Sequence, residues 1–239
     1  MTDEILAVDS VCKSFGGLQI LKAASFWARE GRITTLLGRN GSGKTSMLRI
    51  AVGELRADTG IVRFLSKPYE RPRLATLARR GLYYVDDRAR LPSTFSVETH
   101  LRFISQRHGG KPIDEVVAAL ALDDSLDRRF HELGAGEGRR VAIAGAVIRA
   151  PKCLLVDEPF HGIAPMDEKL IAGALRKLAA QGTAIVTTGH EVEPLLSSAD
   201  DVIWCVAGTT HGLGRPEDAR SHPQFVREYL GWRSQNLER

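Results

Sequence analysis

The stretch 36-LLGRNGSGKTSMLRI-50 holds the residues best suited, by type and spacing, to do chemistry. It follows an apolar, strand-like run and reads straight into a helical pattern, the context in which G-x-x-x-x-G-K-[ST] is a phosphate-binding loop. Gly38, Gly41 and Gly43 permit backbone conformations that turn successive N–H groups into one concavity, with Arg39, Asn40 and Ser42 between them. The N-terminus of the next helix adds its partial positive charge. Lys44 can reach the outer phosphates of a nucleotide, Thr45 is placed to hold Mg²⁺, and Ser46 follows in the first helical turn. A Gly-rich turn that merely starts a helix would leave the joint register of Lys44 and Thr45 without a reason.

Two other strand-like runs end in groups that complement such a loop. In 153-CLLVDEP-159, Asp157 can hold Mg²⁺ through water and Glu158 can polarise an attacking water, although a D-E-P run can also simply cap the next helix. The run 184-AIVTTGH-190 ends in His190, where an imidazole could meet the γ-phosphate and the water. A histidine at a strand end is often only a surface residue, but this is the third strand ending in a group of this kind. The segment 131-HELGAGEGRR-140 also looks like a phosphate-binding turn entering a helix, yet it lacks the hydroxyl and the lysine. By its residues alone it is a broken site, a linker or half of a site.

The elements that must position these groups read as a largely parallel α/β fold. Strand-like runs at Ile33–Leu37, Leu82–Val85, Cys153–Val156, Ala184–Thr188 and Val202–Val206 alternate with amphipathic helices, and ligands on such sheets bind beyond the C-terminal strand ends. The first segment, broken at Gly16-Gly17 and Gly31, has the short alternating runs of antiparallel strands. From about Val97 to Arg149 helical spacing takes over, including IDEVVAALALDDSL, which suggests a helical insert.

Composition sets outer limits. A chain of 239 residues, 43% hydrophobic and 26% charged, suits one large domain or a core with a subdomain. Its net charge of +4 comes largely from scattered arginines, a solvated surface rather than a nucleic-acid tail. The acidic start MTDEILAVDS has no apolar leader core, and no window nears the ~20 apolar residues of a membrane span, so a soluble, non-secreted protein is expected. Cys12, Cys153 and Cys205 lie in apolar runs too far apart for a disulfide framework or zinc spacing and read as core thiols in a reducing compartment.

Taken in order, FGGL, GRNGSGKT, ELGAGEGRRVAIAGA, LLVDEPFHGIAP and TGHE resemble the nucleotide-binding subunit of an ABC transporter along nearly the whole chain. FGGLQIL, DEPFHGIAP and HPQFVREYLG are most similar to the ATPases of branched-chain amino-acid importers and of the lipopolysaccharide exporter. The resemblance implies a P-loop NTPase core of the RecA-like kind within a single ATP-binding domain. Residues 1–90 and 150–239 would form the nucleotide-binding core with its N-terminal antiparallel β part, and 91–149 a helical subdomain. It implies ATP and Mg²⁺, with Phe15 stacking on adenine unless it is an ordinary core residue. Asp87, or Asp86 in an equally possible alignment, would stand near a position that reaches the Mg²⁺ and couples to the membrane subunit; a solvated loop carboxylate is the plain alternative.

The resemblance also answers for the segment left open above. LGAGE occupies the place of the signature sequence, in which Gly134, Ala135, Gly136 and Glu137 would cover a nucleotide held by a second subunit, ahead of a helix beginning near Gly138. Gly134 stands where a serine is usual, and Ala135 replaces a glycine, which would strain the loop if its φ were positive. Ala164 replaces the aspartate that normally crosses to the partner. Groups acting on the chain's own nucleotide are therefore complete, and those lent to a partner are eroded. The resulting expectation is an ATP-hydrolysing subunit at the inner face of the cell membrane, attached through a separate integral-membrane permease. It would pair with a second ATP-binding subunit, a heterodimer being favoured over a homodimer, and would bind no nucleic acid. A non-hydrolysing regulatory or assembly subunit is the alternative that the eroded signature supports.

Overall fold

A computed structural model describes residues 3–88, 94–109 and 112–231. Strands β1 (Glu4–Phe15) and β2 (Leu18–Arg29) form an antiparallel hairpin around Gly16-Gly17, both at positive φ, as a two-residue turn closing on the Phe15–Leu18 pair requires. Next come β3 (Ile33–Leu37), α1 (Lys44–Val52), β4 (Thr59–Phe64), β5 (Lys67–Tyr69), α2 (Leu74–Arg79) and β6 (Leu82–Val85). The middle of the chain supplies α3 (Val97–His108), α4 (Ile113–Ala119) and α5 (Ala135–Arg149). β7 (Cys153–Val156), α6 (Pro165–Ala180), β8 (Ala184–Gly189), α7 (Val192–Ser198), β9 (Asp201–Val206) and β10 (Thr209–Gly214) follow. The last described elements are α8 (Pro216–Ser221), α9 (Pro223–Phe225) and a π-helical turn over Val226–Leu230.

The strands make two sheets, an antiparallel one in the order β2-β1-β4-β5 and a six-stranded one in the order β10-β9-β3-β8-β7-β6. In the second sheet β9, β3, β8, β7 and β6 run parallel, with β10 antiparallel at one edge. Its central strands β3, β7 and β8 are buried on both faces, hence their largely apolar runs. Leu36, Leu155, Val186 and Ile203 meet Met47, Leu48 and Ile50 of α1, whose other neighbours are Leu6, Val8, Phe26 and Phe64 of the antiparallel sheet. Leu37, Leu154, Val156, Ile185 and Trp204 point the other way, into a second core with Leu101, Val116, Val117, Ile143, Ile148, Ile171 and Leu175 of the helices. The middle helices therefore share a core with the parallel sheet.

Several expectations change. The early strands are longer than expected, twelve residues each, and keep their pairing through register shifts near Ser10 and Ala23, both at positive φ. The run IDEVVAALALDDSL is helical only to Ala119; Ala121 turns at positive φ, and Asp123–Ser125 form a 3₁₀ turn, where short polar side chains favour local hydrogen bonding over a longer helix. Cys153 and Cys205 are core thiols, but Cys12 is only half-buried, its sulfur accepting from the Ala23 N–H. The expected boundary at residues 90–91 lies outside the described residues. Among the described residues no helix is long and apolar enough to cross a membrane.

Candidate functional site

The parallel topology brings β3, β8, β7 and β6 side by side with their C-terminal ends at one edge. The loop 38–43 leaves β3 at this edge, Asp157 and Glu158 leave β7, His190 leaves β8, and Asp86 and Asp87 leave β6. Gly38 sits so close to the strand beside it that a Cβ there would come 2.4 Å from the Cys205 carbonyl. At Gly43, φ is 96° and a Cβ would meet Leu21 at 2.4 Å. Gly43 is the N-cap of α1 and offers no side-chain cap, which leaves the first N–H groups of the helix for an anion. The buried Ser42 hydroxyl has no hydrogen-bond partner.

Lys44 is almost wholly buried, its Nζ donating to the carbonyls of Gly38 at 2.8 Å and Arg39 at 3.1 Å. Burial pushes its ammonium down from the ordinary lysine range, while Glu158 and Asp157 pull the other way. A cleft of about 420 Å³ opens over the loop, lined by Phe15, Ile20, Asn40, Gly41, Gly43, Lys44, Thr45, Ser46 and Glu158. Phe15 is 49% exposed at its rim, with Lys13 Nζ 5.4 Å from the ring centroid, so it is no core residue. Arg39 departs from the group, because its side chain reaches away to the Glu228 carbonyl at 3.1 Å and lines a neighbouring groove.

Asp157 is fully buried at the end of β7. Thr188 donates its hydroxyl to Oδ1, whereas Oδ2 is buried without a partner. Burial pushes the carboxyl up, against the lowering effect of the Thr188 and Thr45 hydroxyls. A buried, unpartnered carboxylate oxygen next to a threonine hydroxyl is an oxygen-rich arrangement of the kind that suits Mg²⁺, so these residues fit that ion. Glu158 adopts a left-handed φ of 48°, its N–H bonded to the Thr188 hydroxyl at 3.1 Å, a strained backbone held by its neighbours. Its carboxylate lies 3.7 Å from His190 Nδ1. Asp87 is exposed and does not line the cleft, though its charge reaches Asp157.

Some participants were missed in the sequence. Thr188 carries no signal beyond its place before Gly189 and His190. Arg139, in the second turn of α5, is buried and donates to the carbonyls of Asp87 at 2.6 Å, Asp86 at 3.0 Å and Asp157 at 3.4 Å. It ties α5 to two strand ends of the site, and beside Glu137 and Arg140 nothing in the sequence sets it apart from a solvated charge. His161 and Glu191 also close on His190, as described below.

The signature-like segment lies elsewhere, and none of Gly134, Ala135, Gly136 and Glu137 lines the cleft above Lys44. The α5 helix begins at Ala135, not near Gly138, because Gly134 already serves as N-cap with φ −67°. Ala135 is not at positive φ, so the strain considered for it does not arise. Glu137 is turned inward: Oε2 accepts from the Gly134 N–H at 2.9 Å, and Oε1 from Ser125 at 2.9 Å and Arg128 at 2.6 Å. Gly134 and its other neighbours thus hold the Glu137 carboxyl below its ordinary range. Gly136 is kept small by α6, since a Cβ there would come 2.0 Å from Asp167 Oδ2 while Asp167 pairs with Arg140 at 2.7 Å. Ala164 is the exposed N-cap of α6 and gives no side-chain cap.

Comparison with known proteins agrees with this geometry. Residues 21–161 match the model of the ABC transporter family. The Nod factor export ATP-binding protein I of Rhizobium meliloti is 33% identical over 237 residues, 95% of this chain and 70% of that protein. The lipopolysaccharide export system ATP-binding protein of Acidithiobacillus ferridurans is 28% identical over 234 residues, 95% of this chain and 97% of that one. Among solved structures, an ATP-binding cassette of an ABC transporter in its ADP conformation superimposes with a TM-score of 0.80 at 25% identity, covering 95% of this chain and 99% of its own.

Proposed function

The chain belongs to the ABC transporter family, whose ATP-binding subunits are ATPases coupled to transport, and on that premise we propose that it hydrolyses ATP for a separate integral-membrane permease. The observation that carries this reading is the convergence of Lys44 and Thr45, Asp157 and Glu158, and His190 at one edge of the parallel sheet. Lys44 leaves the Gly38 and Arg39 carbonyls to hold the outer phosphates, the N–H groups opening α1 hold the rest, and Phe15 covers the base. Thr45 and Asp157 would hold Mg²⁺, which would offset phosphate charge. Glu158 takes the proton of the attacking water, and His190 orients water and γ-phosphate. No covalent intermediate is needed, because positioning and charge stabilisation suffice.

The eroded groups around Gly134 and Ala164 support a heterodimer, in which a different ATPase lends an intact signature to this chain's nucleotide. We assign residues 1–90 and 150–239 to the nucleotide-binding core and 91–149 to the helical subdomain of one ATP-binding domain. The permease would dock near Asp87 and those helices, placing the chain on the cytoplasmic face of the membrane. Two measurements test this. The isolated chain should hydrolyse ATP slowly, and a rate typical of transporter ATPases would end the heterodimer reading. It should also fractionate with membranes only when a permease is co-expressed; tight binding to pure lipid vesicles would remove the permease from the argument.

A further inference from the structure

Beside the P-loop cleft, residues from two strand ends form a cluster with metal-binding chemistry. Glu158, His161 and His190 each offer a ligand atom, and these atoms lie within 4.8 Å of one another. His161 Nδ1 is 3.9 Å from Glu158 Oε2, His190 Nδ1 is 3.7 Å from Glu158 Oε1, and the imidazole centroids are 5.0 Å apart. Bonds of about 2.0–2.1 Å to a tetrahedral ion place neighbouring ligand atoms about 3.3–3.5 Å apart, so small side-chain rotations close the set. His161, its side chain 57% exposed, has room to make them once its Nδ1 gives up its hydrogen bond to Glu191 at 3.0 Å or its ring turns to present Nε2.

Glu191 prepares the cluster from behind. Its Oε1 lies 3.3 Å from His190 Nε2 and 3.0 Å from His161 Nδ1. With the proton on the Nε2 that faces this carboxylate, His190 Nδ1 presents its lone pair, and that atom is buried without a hydrogen-bond partner beside Glu158. Carboxylate, imidazole and metal are commonly linked in this order, the carboxylate setting the tautomer and orientation of the ligand. Two imidazoles and one carboxylate with a fourth position open suit Zn²⁺ and its neighbours, whereas Mg²⁺ prefers oxygen alone.

We propose that Glu158, His161 and His190 bind a late first-row divalent cation such as Zn²⁺, and that this ion, while bound, withdraws Glu158 and His190 from hydrolysis. The site is then a reversible metal brake. Binding rests on the cluster alone; the brake rests on the roles given above to Glu158 and His190.

The full chain, stripped with a chelator, is titrated with Zn²⁺ against a chromophoric chelator and with Co²⁺ by its visible absorption, beside His161→Ala. His161 is exposed, so the variant should melt like the wild type. The wild type should bind one ion per chain and show the bands of tetrahedral Co²⁺. His161→Ala should lose at least the about 10–100-fold in affinity that removing even an outer-shell partner costs. With a chelator selective for Zn²⁺, and with Mg²⁺ in excess, each protein should hydrolyse ATP at its own basal rate, and one equivalent of Zn²⁺ beyond the chelator should stop only the wild type. Equal Zn²⁺ binding by the two proteins overturns the metal site. Zn²⁺ bound at His161 without loss of hydrolysis overturns the brake. Normal turnover by Glu158→Gln, by contrast, would sink the assignment of the base and leave the metal site standing.

Discussion

The loop proposed to hold this chain's own phosphates and the segment that resembles a signature are both helix N-termini entered through glycine, yet they are built differently. In the first, Gly38 and Gly43 are wedged against Cys205 and Leu21, Lys44 is buried, and Ser42 Oγ and the nearby Asp157 Oδ2 are left without partners. Such unsatisfied buried groups cost stability unless a ligand, ion or water completes them. In the second, Gly134 and Ala135 are exposed, and Glu137 takes up one N–H of the helix end, that of Gly134, from within the chain while pairing with Ser125 and Arg128. One region keeps its polar groups open; the other takes up one of its helix-end N–H groups internally.

The largest expected effect lies in the first region. Glu158→Gln should bind ATP as the wild type does and lose turnover by about 10²–10⁴-fold, since the amide preserves shape but cannot accept the proton. Nucleotide binding and ATPase assays on the same preparation check this, and turnover within about twofold of wild type would remove Glu158 as base and with it the contrast.

Restoring the second region should come next. Gly134→Ser, Ala135→Gly and Ala164→Asp together should raise the isolated chain's ATPase by about 10²–10³-fold, the amount that one donor aimed at transition-state charge typically supplies. An unchanged rate would mean that something other than these residues limits the homodimer.

Gly136 sharpens the comparison by separating structure from binding. Gly136→Ala should push Asp167 from its place, break its pairing with Arg140 and cost about 1–3 kcal/mol, as overpacking does. Urea unfolding reads it directly. Gly134→Ser meets only Glu137 Oε2 at 3.5 Å and should cost nothing. Equal losses at both positions would mean that Gly134 too is held by packing.

The smallest effect belongs to Ala164→Asp alone. An aspartate at the N-cap of α6 should stabilise the chain by about 0.5–2 kcal/mol and raise its melting temperature by about 2–4 °C per kcal/mol, before any partner is involved. No thermal shift in the monomer would show that the α6 end is already satisfied. This capping gain must also be subtracted from any dimerisation effect in the restored variant.

Sequence by itself determined the features that are local in the chain. The P-loop is one contiguous stretch, and its glycines, lysine and threonine carry their meaning in their spacing. The central parallel strands were legible because burial on both faces demands largely apolar runs. The bounds of α5 and the end of α4 were less legible, because a glycine N-cap and a polar turn interrupt the apolar period. Tertiary structure alone decided what meets across long separations. The order β3-β8-β7 sets residues 38–45, 157–158 and 190 along one edge, and nothing local encodes that neighbourhood. The meeting of His161 with His190 and Glu191, the reach of Arg139 to the Asp86, Asp87 and Asp157 carbonyls, and the seating of Asp167 over Gly136 have the same origin. Each depends on which faces of distant strands and helices bury against each other, a choice made by the packing of the whole chain.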